Sequence, residues 1–412
     1  MPTRLRRDGM AQVEQFNAAR SRPNFRPDVR IMTQAWTQRL PATVLAFRGY
    51  NLTNLGKTPE LLAHAAYGPI VERHLRLAGA ICSEALHRHV DLVARVQEKR
   101  ESTLETFAED IALIIAAEMA QLELLDQFFG ADYRHAKFSM GYSLGEITAL
   151  IAGGTLVADQ ALPPLVAIGG ECAELAVDAS MGILFSRGPE LDVVAVQRLC
   201  IEINQEGHGI IAVSSYLSPN TLLLIGQRGT LAEFKARMHT VLGTRVNLRK
   251  TEGAWPPLHT PILWDREIPS RAGKAMHLMA GGINVPHPNV LSLVTGKMSY
   301  NGFNARQMIV EWLERPQRLW DGVCEILGSG AEVVLHIGPD PNLIPATFKR
   351  LSDNVAAQTA GRSFNSWGKQ AVSLIARRAW LAPVLSTRVG LLRAPYLEHV
   401  ILEDWLLEQD VR

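Results

Sequence analysis

Cysteine is scarce. The 412-residue chain holds four, Cys82, Cys172, Cys200 and Cys324, and no two form a C-x-x-C pair. That argues against a structural zinc site and against a redox motif. No metal is expected, and buried, reduced thiols in a cytoplasmic protein are the default. Long apolar runs are missing too, since none approaches the roughly 18 residues of a membrane span. The opening MPTRLRRDGM lacks the apolar stretch of a secretory signal. Charge of a dominant sign is absent: 42 Lys and Arg face 41 Asp and Glu, a net +1. No overall field therefore draws the chain to nucleic acid or to an anionic membrane. What is present is apolar substance, 47% of residues against 20% charged, enough for a sizeable core. At roughly 100–200 residues per domain, the length suggests two or three units, or one large α/β unit with an insertion.

Residues 1–40 are rich in Arg, Gln and Asn and weakly periodic, and are expected to be a poorly ordered arm. TVLAF at 43–47 is a short β-branched and apolar run that predicts a buried strand. Helical spacing follows over 60–96 and 104–129, the second closed by Gly130. AKFSM at 136–140 predicts a strand and LGEITALIAGG at 144–154 a helix. Residues 181–251 have their own rhythm: strand, helix, strand, strand, helix, strand. In their helices Val193, Val196, Leu199, Cys200 and Ile203 share one face, and Leu231, Phe234, Met238, Val241 and Leu242 another. That order is a ferredoxin-like unit. VLSLV at 290–294 and EVVLHI at 332–337 predict further buried strands, and 366–380 and 394–408 two terminal helices. The expected fold class is α/β: a mostly parallel sheet covered by helices, in the manner of an α/β-hydrolase, with an inserted ferredoxin-like subdomain. The large subdomain is assigned to 41–180 and 252–352, the small one to 181–251, and a C-terminal helical extension to 353–412.

GYSLG at 141–145 sets a serine between glycines two positions away on each side. A strand that reverses sharply into a helix strains the turn residue and requires small neighbours, which Gly141 and Gly145 supply around Ser143. The hydroxyl then projects at a helix N-terminus, where the amide of Leu144 faces a developing oxyanion. The plainer alternative is a serine N-cap between glycine turns. A serine nucleophile needs a base. His259, in WPPLHTPI just after the insertion, sits between prolines on a stiff loop, although an ordinary loop histidine fits the same pattern.

Several segments together resemble one family. GYSLGEITALIAGGTL is similar to the GHSLGE segment of malonyl-CoA:acyl carrier protein transacylases and of the acyltransferase domains of polyketide and fatty acid synthases. LHTPI resembles that family's FHTPL or FHSPL segment, and VVLHIGPDPNL its EVGPG-type strand and loop. The insertion matches its small subdomain, and the resemblance covers about residues 43–352. It implies acyl exchange: Ser143 attacks an acyl thioester with His259 as base, coenzyme A leaves, and the phosphopantetheine thiol of an acyl carrier protein takes the acyl group. Acyl-CoA and phosphopantetheine thioesters are then substrates, with no permanently bound cofactor. A backbone carbonyl orients the imidazole in the family, and Trp312 in EWLERPQRLW takes that position. Tyr50, in FRGYNLTN, stands where the family's PGQGSQ-like loop gives a second oxyanion amide.

The departures concern the pocket. Tyr142 replaces the histidine before the serine. The arginine that grips the malonyl carboxylate falls at Ile168, and no arginine lies between Ser143 and Arg187. An unpaired carboxylate there costs several kcal/mol, so an acyl group without a terminal charge is expected, unless an arginine comes from elsewhere. Ser215 and Leu217 stand in place of the family's asparagine pair, and Leu258 precedes the histidine. Two other readings stay open: a thioester hydrolase on the same scaffold, and a non-catalytic scaffold member. Arg187, Arg245, Arg249 and Lys250 are candidates to face an acidic carrier protein, or are scattered solvated charge. AWLAPVL and YLEHVILEDWLLE are apolar enough to pack on the core or on another subunit.

Overall fold

A computed structural model describes residues 36–188, 190–251, 253–359 and 378–411. Nine strands are described in these residues: β1 (Thr43–Phe47), β2 (Phe138–Gly141), β3 (Ala179–Ser186), β4 (Ile211–Ser218), β5 (Thr221–Gln227), β6 (Val246–Lys250), β7 (Val290–Leu291), β8 (Val333–Ile337) and β9 (Glu398–Ile401). They form two sheets. One runs β7-β2-β1-β8-β9 and every pairing in it is parallel; the other runs β4-β5-β3-β6 and is antiparallel. The fold is therefore α/β with a small second sheet, and the order of that second sheet is the ferredoxin-like one.

The parallel strands are apolar on both faces because helices cover both. β1 and β8 are buried along their whole length. The helix α1 (Gly68–Leu86) and the short α2 (Leu92–Gln97) come before α3 (Phe107–Phe129), which runs through the core. α3 is buried on nearly every side, as a helix apolar all round must be. Gly130 ends it in the left-handed conformation, φ 60°. The helical stretch expected over 60–96 is broken. Gly68 and Pro69 restart it after Thr58–Ala63, His87 ends α1 with φ 52°, and Asp91 caps α2 by accepting from the amide of Ala94 at 2.9 Å.

α4 (Leu144–Ala152) leaves the end of β2, and α5 (Ala158–Ala176) lies against α1 and α3. In the small subdomain α6 (Val193–Gln205) and α7 (Thr230–Leu242) pack their apolar faces on one side of the antiparallel sheet, with Val196, Leu199, Ile203, Phe234 and Met238 in a core of their own. Val241, expected on that face, is 45% exposed. The chain returns through α8 (Ile268–Leu278), α9 (Ala305–Glu314), α10 (Leu319–Gly328) and α11 (Leu343–Thr359).

Two expectations at the ends change. Of the arm, 1–35 lies outside the described residues, but Trp36–Arg39 is a helical turn and Trp36 is buried, its ring 5.5 Å from that of Trp405. Of the terminal helices, 366–377 also lies outside. The expected helix 394–408 is instead the end of a 3-10 turn, then β9 on the edge of the parallel sheet, then α12 (Leu402–Leu407). Glu-His-Val-Ile reads as part of a helical pattern only while the open edge of β8 is unknown; paired to that edge, the segment buries His399 and Val400 between half-buried ends. No helix among the described residues is long and apolar enough to cross a membrane.

Candidate active site

β2 runs into α4 through Ser143, whose backbone sits at φ 53°, ψ −119°. Non-glycine residues avoid that region, so the surrounding structure must hold it there. Gly141 and Gly145 make the turn possible. A Cβ on Gly141 would collide with the carbonyl carbon of Gly145, and one on Gly145 would lie 2.5 Å from the carbonyl oxygens of Phe47 and Arg48. The loop after β1 closes on the same point, with Gly49 so near that its Cβ would meet the Tyr142 carbonyl oxygen at 2.5 Å and the Ser143 Cβ at 3.3 Å.

The small-subdomain excursion returns the chain beside this elbow. His259 also adopts a positive φ, 63°, pinned by its amide donating to the Leu313 carbonyl at 2.6 Å. Its Nε2 lies 2.7 Å from Ser143 Oγ, and its Nδ1 lies 2.7 Å from the Trp312 carbonyl oxygen. A carbonyl only accepts, so Nδ1 carries the proton and Nε2 is left as the acceptor facing the hydroxyl. Burial of His259 pushes its pKa down to about 4, with the Trp312 carbonyl opposing in the other direction. The imidazole is neutral at pH 7, the form a general base requires. Ser143 itself is half-buried and opens into a cavity.

Trp312 does more than lend a carbonyl. Its indole N–H donates to the Ser143 carbonyl at 3.1 Å, and its ring meets the imidazole edge-on at 5.1 Å. Gln317 was not anticipated. It is fully buried, its Oε1 accepts from the Ser143 amide at 3.3 Å, and its Nε2 lies 3.3 Å from His259 Nδ1. Its backbone stitches the subdomains together, donating to the Ser214 carbonyl at 2.9 Å and accepting from the Tyr216 amide at 2.8 Å. The only signal in the sequence was its place in RPQRLW, five residues past Trp312; nothing in spacing marks a glutamine there as part of a site.

The cavity at Ser143 is lined by Tyr50, Leu144, Ile168 and Leu258, with Phe107 and Trp312 beside them. Tyr50 packs edge-on against Phe107 at 4.6 Å and lies 5.6 Å from the ring of Trp255. Burial raises its phenol pKa, so the hydroxyl keeps its proton. Cys172 also lines the cavity, but burial pushes its thiol up to about 12 and leaves it a weak nucleophile.

Three expected pocket residues stand elsewhere. Tyr142, Ser215 and Leu217 are not in the cavity wall. Successive residues at a strand end point to opposite sides, so as Ser143 faces the cavity Tyr142 turns the other way, into the second core beneath the sheet, where Leu217 also packs. Ser215 Oγ donates to the Gln317 carbonyl at 3.0 Å in the seam between the subdomains.

Among the described residues, no cationic side chain lines the cavity. Two buried arginines, Arg95 and Arg48, act on Tyr50 of its wall through their charge, and both are engaged. Arg95 donates to Asp110, to Glu109 at 3.3 Å and to the Arg100 carbonyl at 3.2 Å; Arg48 donates to Asn54 Oδ1 at 2.8 Å, to the Gly49 carbonyl at 2.7 Å and to the Pro339 carbonyl.

A strained serine on a strand–helix elbow, a histidine held by a backbone carbonyl, and an inserted ferredoxin-like subdomain define an α/β protein with a serine–histidine dyad. The solved structures it matches carry the fold of malonyl-CoA:acyl carrier protein transacylases. An acyl carrier protein S-malonyltransferase from Vibrio cholerae matches with TM-score 0.61 and 20% identity over 74% of this chain and 92% of that one. A malonyl-CoA:acyl carrier protein transacylase (FabD) from Xanthomonas oryzae matches with TM-score 0.57 and 24% identity, over 74% and 90%. A malonyl-transacylase solved with a type II polyketide synthase acyl carrier protein (PlMCAT:AntF) matches with TM-score 0.60 and 22% identity, over 74% and 91%. By sequence, no family model and no curated protein matches. The chain has the transacylase fold.

Proposed function

We propose that the protein is an acyl carrier protein S-acyltransferase that works through an acyl-enzyme on Ser143 and takes acyl groups without a terminal charge. The observation that carries the reading is the 2.7 Å approach of His259 Nε2 to Ser143 Oγ, with Nδ1 bound to the Trp312 carbonyl. In the first half-reaction Oγ bonds to the thioester carbonyl carbon as its proton passes to Nε2. The carbonyl oxygen takes the charge, facing the amides of Leu144 and Tyr50. The C–S bond then breaks, and coenzyme A leaves with the proton from Nε2. In the second, the phosphopantetheine thiol of a carrier protein gives its proton to Nε2 as its sulfur bonds to the acyl carbon; the ester C–Oγ bond then breaks and Ser143 Oγ takes the proton back from Nε2. The family resemblance and the named activities of the structural neighbours point to fatty acid or polyketide assembly. Burying a carboxylate without a partner costs several kcal/mol, and the cavity has Ile168 where a clamp belongs and, among the described residues, no cation in its wall. That favours a neutral acyl group over malonyl.

The test is intact-mass measurement after incubation with malonyl-, acetyl- and longer neutral acyl-CoAs. A neutral acyl mass should appear on the protein and be absent from Ser143→Ala. Transfer to a phosphopantetheinylated carrier protein, without free acid in its absence, separates transferase from hydrolase. A protein that no thioester labels has the scaffold role instead.

A further inference from the structure

A second apolar chamber lies behind the first. Ile147, Ala161, Pro164, Ala272, Met276 and Met279 line it. Three side chains, Leu165, Ile168 and Leu313, belong to both walls, so they are the partition between the chambers. Among the described residues, neither chamber carries a charged side chain in its lining. α5 is the common wall. Its face contributes Cys172 at the Ser143 end and Ala161 at the far end, a run of about 16 Å at the α-helical rise. The partition consists of aliphatic side chains only, of which Ile168 is half-exposed, and the far chamber is floored by two methionines, side chains that reshape readily around apolar ligands.

Resting on the acyl-enzyme reading above, we infer that the acyl group is a neutral chain of medium length, long enough to pass from the Ser143 cavity into the neighbouring apolar chamber. Its carbonyl sits at Ser143, its middle passes Leu165, Ile168 and Leu313, and its methyl end occupies the chamber floored by Met276 and Met279. A two- or three-carbon group would leave the far chamber unfilled. A dicarboxylic group would bring a charge to an apolar wall.

The test is a competition among acetyl-, butyryl-, octanoyl- and malonyl-CoA for Ser143, read by intact mass at short times. Octanoyl is expected to win over acetyl by at least tenfold, since each buried methylene is worth about fourfold, and malonyl is expected last. Ala161→Phe fills the far chamber and should lower the octanoyl-to-butyryl labelling ratio at least tenfold. Ala272→Val is a milder filling that keeps the comparison should the phenylalanine variant fail to fold, and should lower the ratio in the same direction. Octanoyl labelling no faster than acetyl, or a ratio unmoved in a folded far-chamber variant, overturns the inference while leaving acyl transfer intact. Absence of every label from Ser143 overturns acyl transfer itself, and this inference with it.

Discussion

At Nδ1 the histidine of the dyad faces a carbonyl and an amide rather than a carboxylate. Among the described residues nothing anionic faces the ring to stabilise the imidazolium that the proposed proton transfer from Ser143 would form, and burial alone holds the pKa near 4, below the usual 6.5. A base so depressed is neutral over the whole neutral range. The acylation rate should therefore stay level from about pH 8 down to about pH 5 and fall only as pH drops through the folded pKa near 4. Gln317 offers a handle on that limb. Gln317→Glu would set a carboxylate where Nε2 now lies 3.3 Å from Nδ1. A nearby opposite charge favours the protonated ring and raises its pKa, so the acid limb should move upward. Single-turnover acylation by a neutral acyl-CoA across pH 3.5–8 measures both. A wild-type limb between pH 6 and 7, unmoved in Gln317→Glu, would sink this account of the base. Ser143, His259 and the neighbourhood of Ile168 were legible because each carries a pattern: glycines at fixed spacing, prolines around a histidine, a position counted along a helix. Gln317 was not, because a buried amide that links two subdomains depends on a seam that exists only after folding. Tyr142, Ser215 and Leu217 were assigned by their place in the resemblance, which does not carry the side of the sheet or the seam on which each side chain packs.

Elements followed local sequence closely wherever their partners were local. All six elements of the small subdomain appear in the expected order, since a short run of alternating strands and helices buries its faces within itself. β7, by contrast, is reduced to Val290–Leu291, because Ser292 turns away to pair with Lys297. β9 was hidden for a long-range reason. A four-residue strand is chosen by the edge it meets, and that edge is β8, more than sixty residues earlier. Its consequence is mechanical. β9 and α12 seal the open side of the sheet: Leu402 and Leu406 are fully buried, and Glu403 accepts from the amides of Lys57 and Asp340 at 2.7 and 2.9 Å. Arg39 and Glu398 pair across the same edge at 2.5 Å. Removing residues 398–412 should therefore be costly, since each of the two leucines alone contributes about 1.5–3 kcal/mol of burial and the β8 edge is uncovered. The expected result is a lower melting temperature or loss to the insoluble fraction. A truncated protein that melts with the full chain would show that the edge strand is dispensable.

For the molecule as a whole, the buried ionisable groups set a pH at which folding is strongest. His259, at about 4, His399, at about 3, and His336, well below its ordinary value, are all held neutral by burial. The last two meet at 2.9 Å between β8 and β9. Unfolded, these rings bind protons near pH 6.5, so from there down to their folded values the unfolded chain holds more protons and stability falls as pH falls. The carboxyls act in the opposite sense. Burial raises Glu118 and Glu403 to about 8, Glu146 to about 7 and Asp110 to about 6. Between the ordinary carboxyl range and those values the folded chain holds the extra protons, so stability falls as pH rises. The two sets balance at about pH 5, where the protons gained by histidines on unfolding match those lost by carboxyls. Melting temperature should peak there and decline on both sides. Calorimetric unfolding in buffers of different ionisation enthalpy gives the sign directly: net proton uptake below the peak, net release above it. Proton uptake at pH 7.5 would mean that the carboxyls are ionised in the folded protein, and that Arg48, which lies among Glu118, Asp340 and Glu403, neutralises charge at the ends of the parallel strands more fully than burial opposes it.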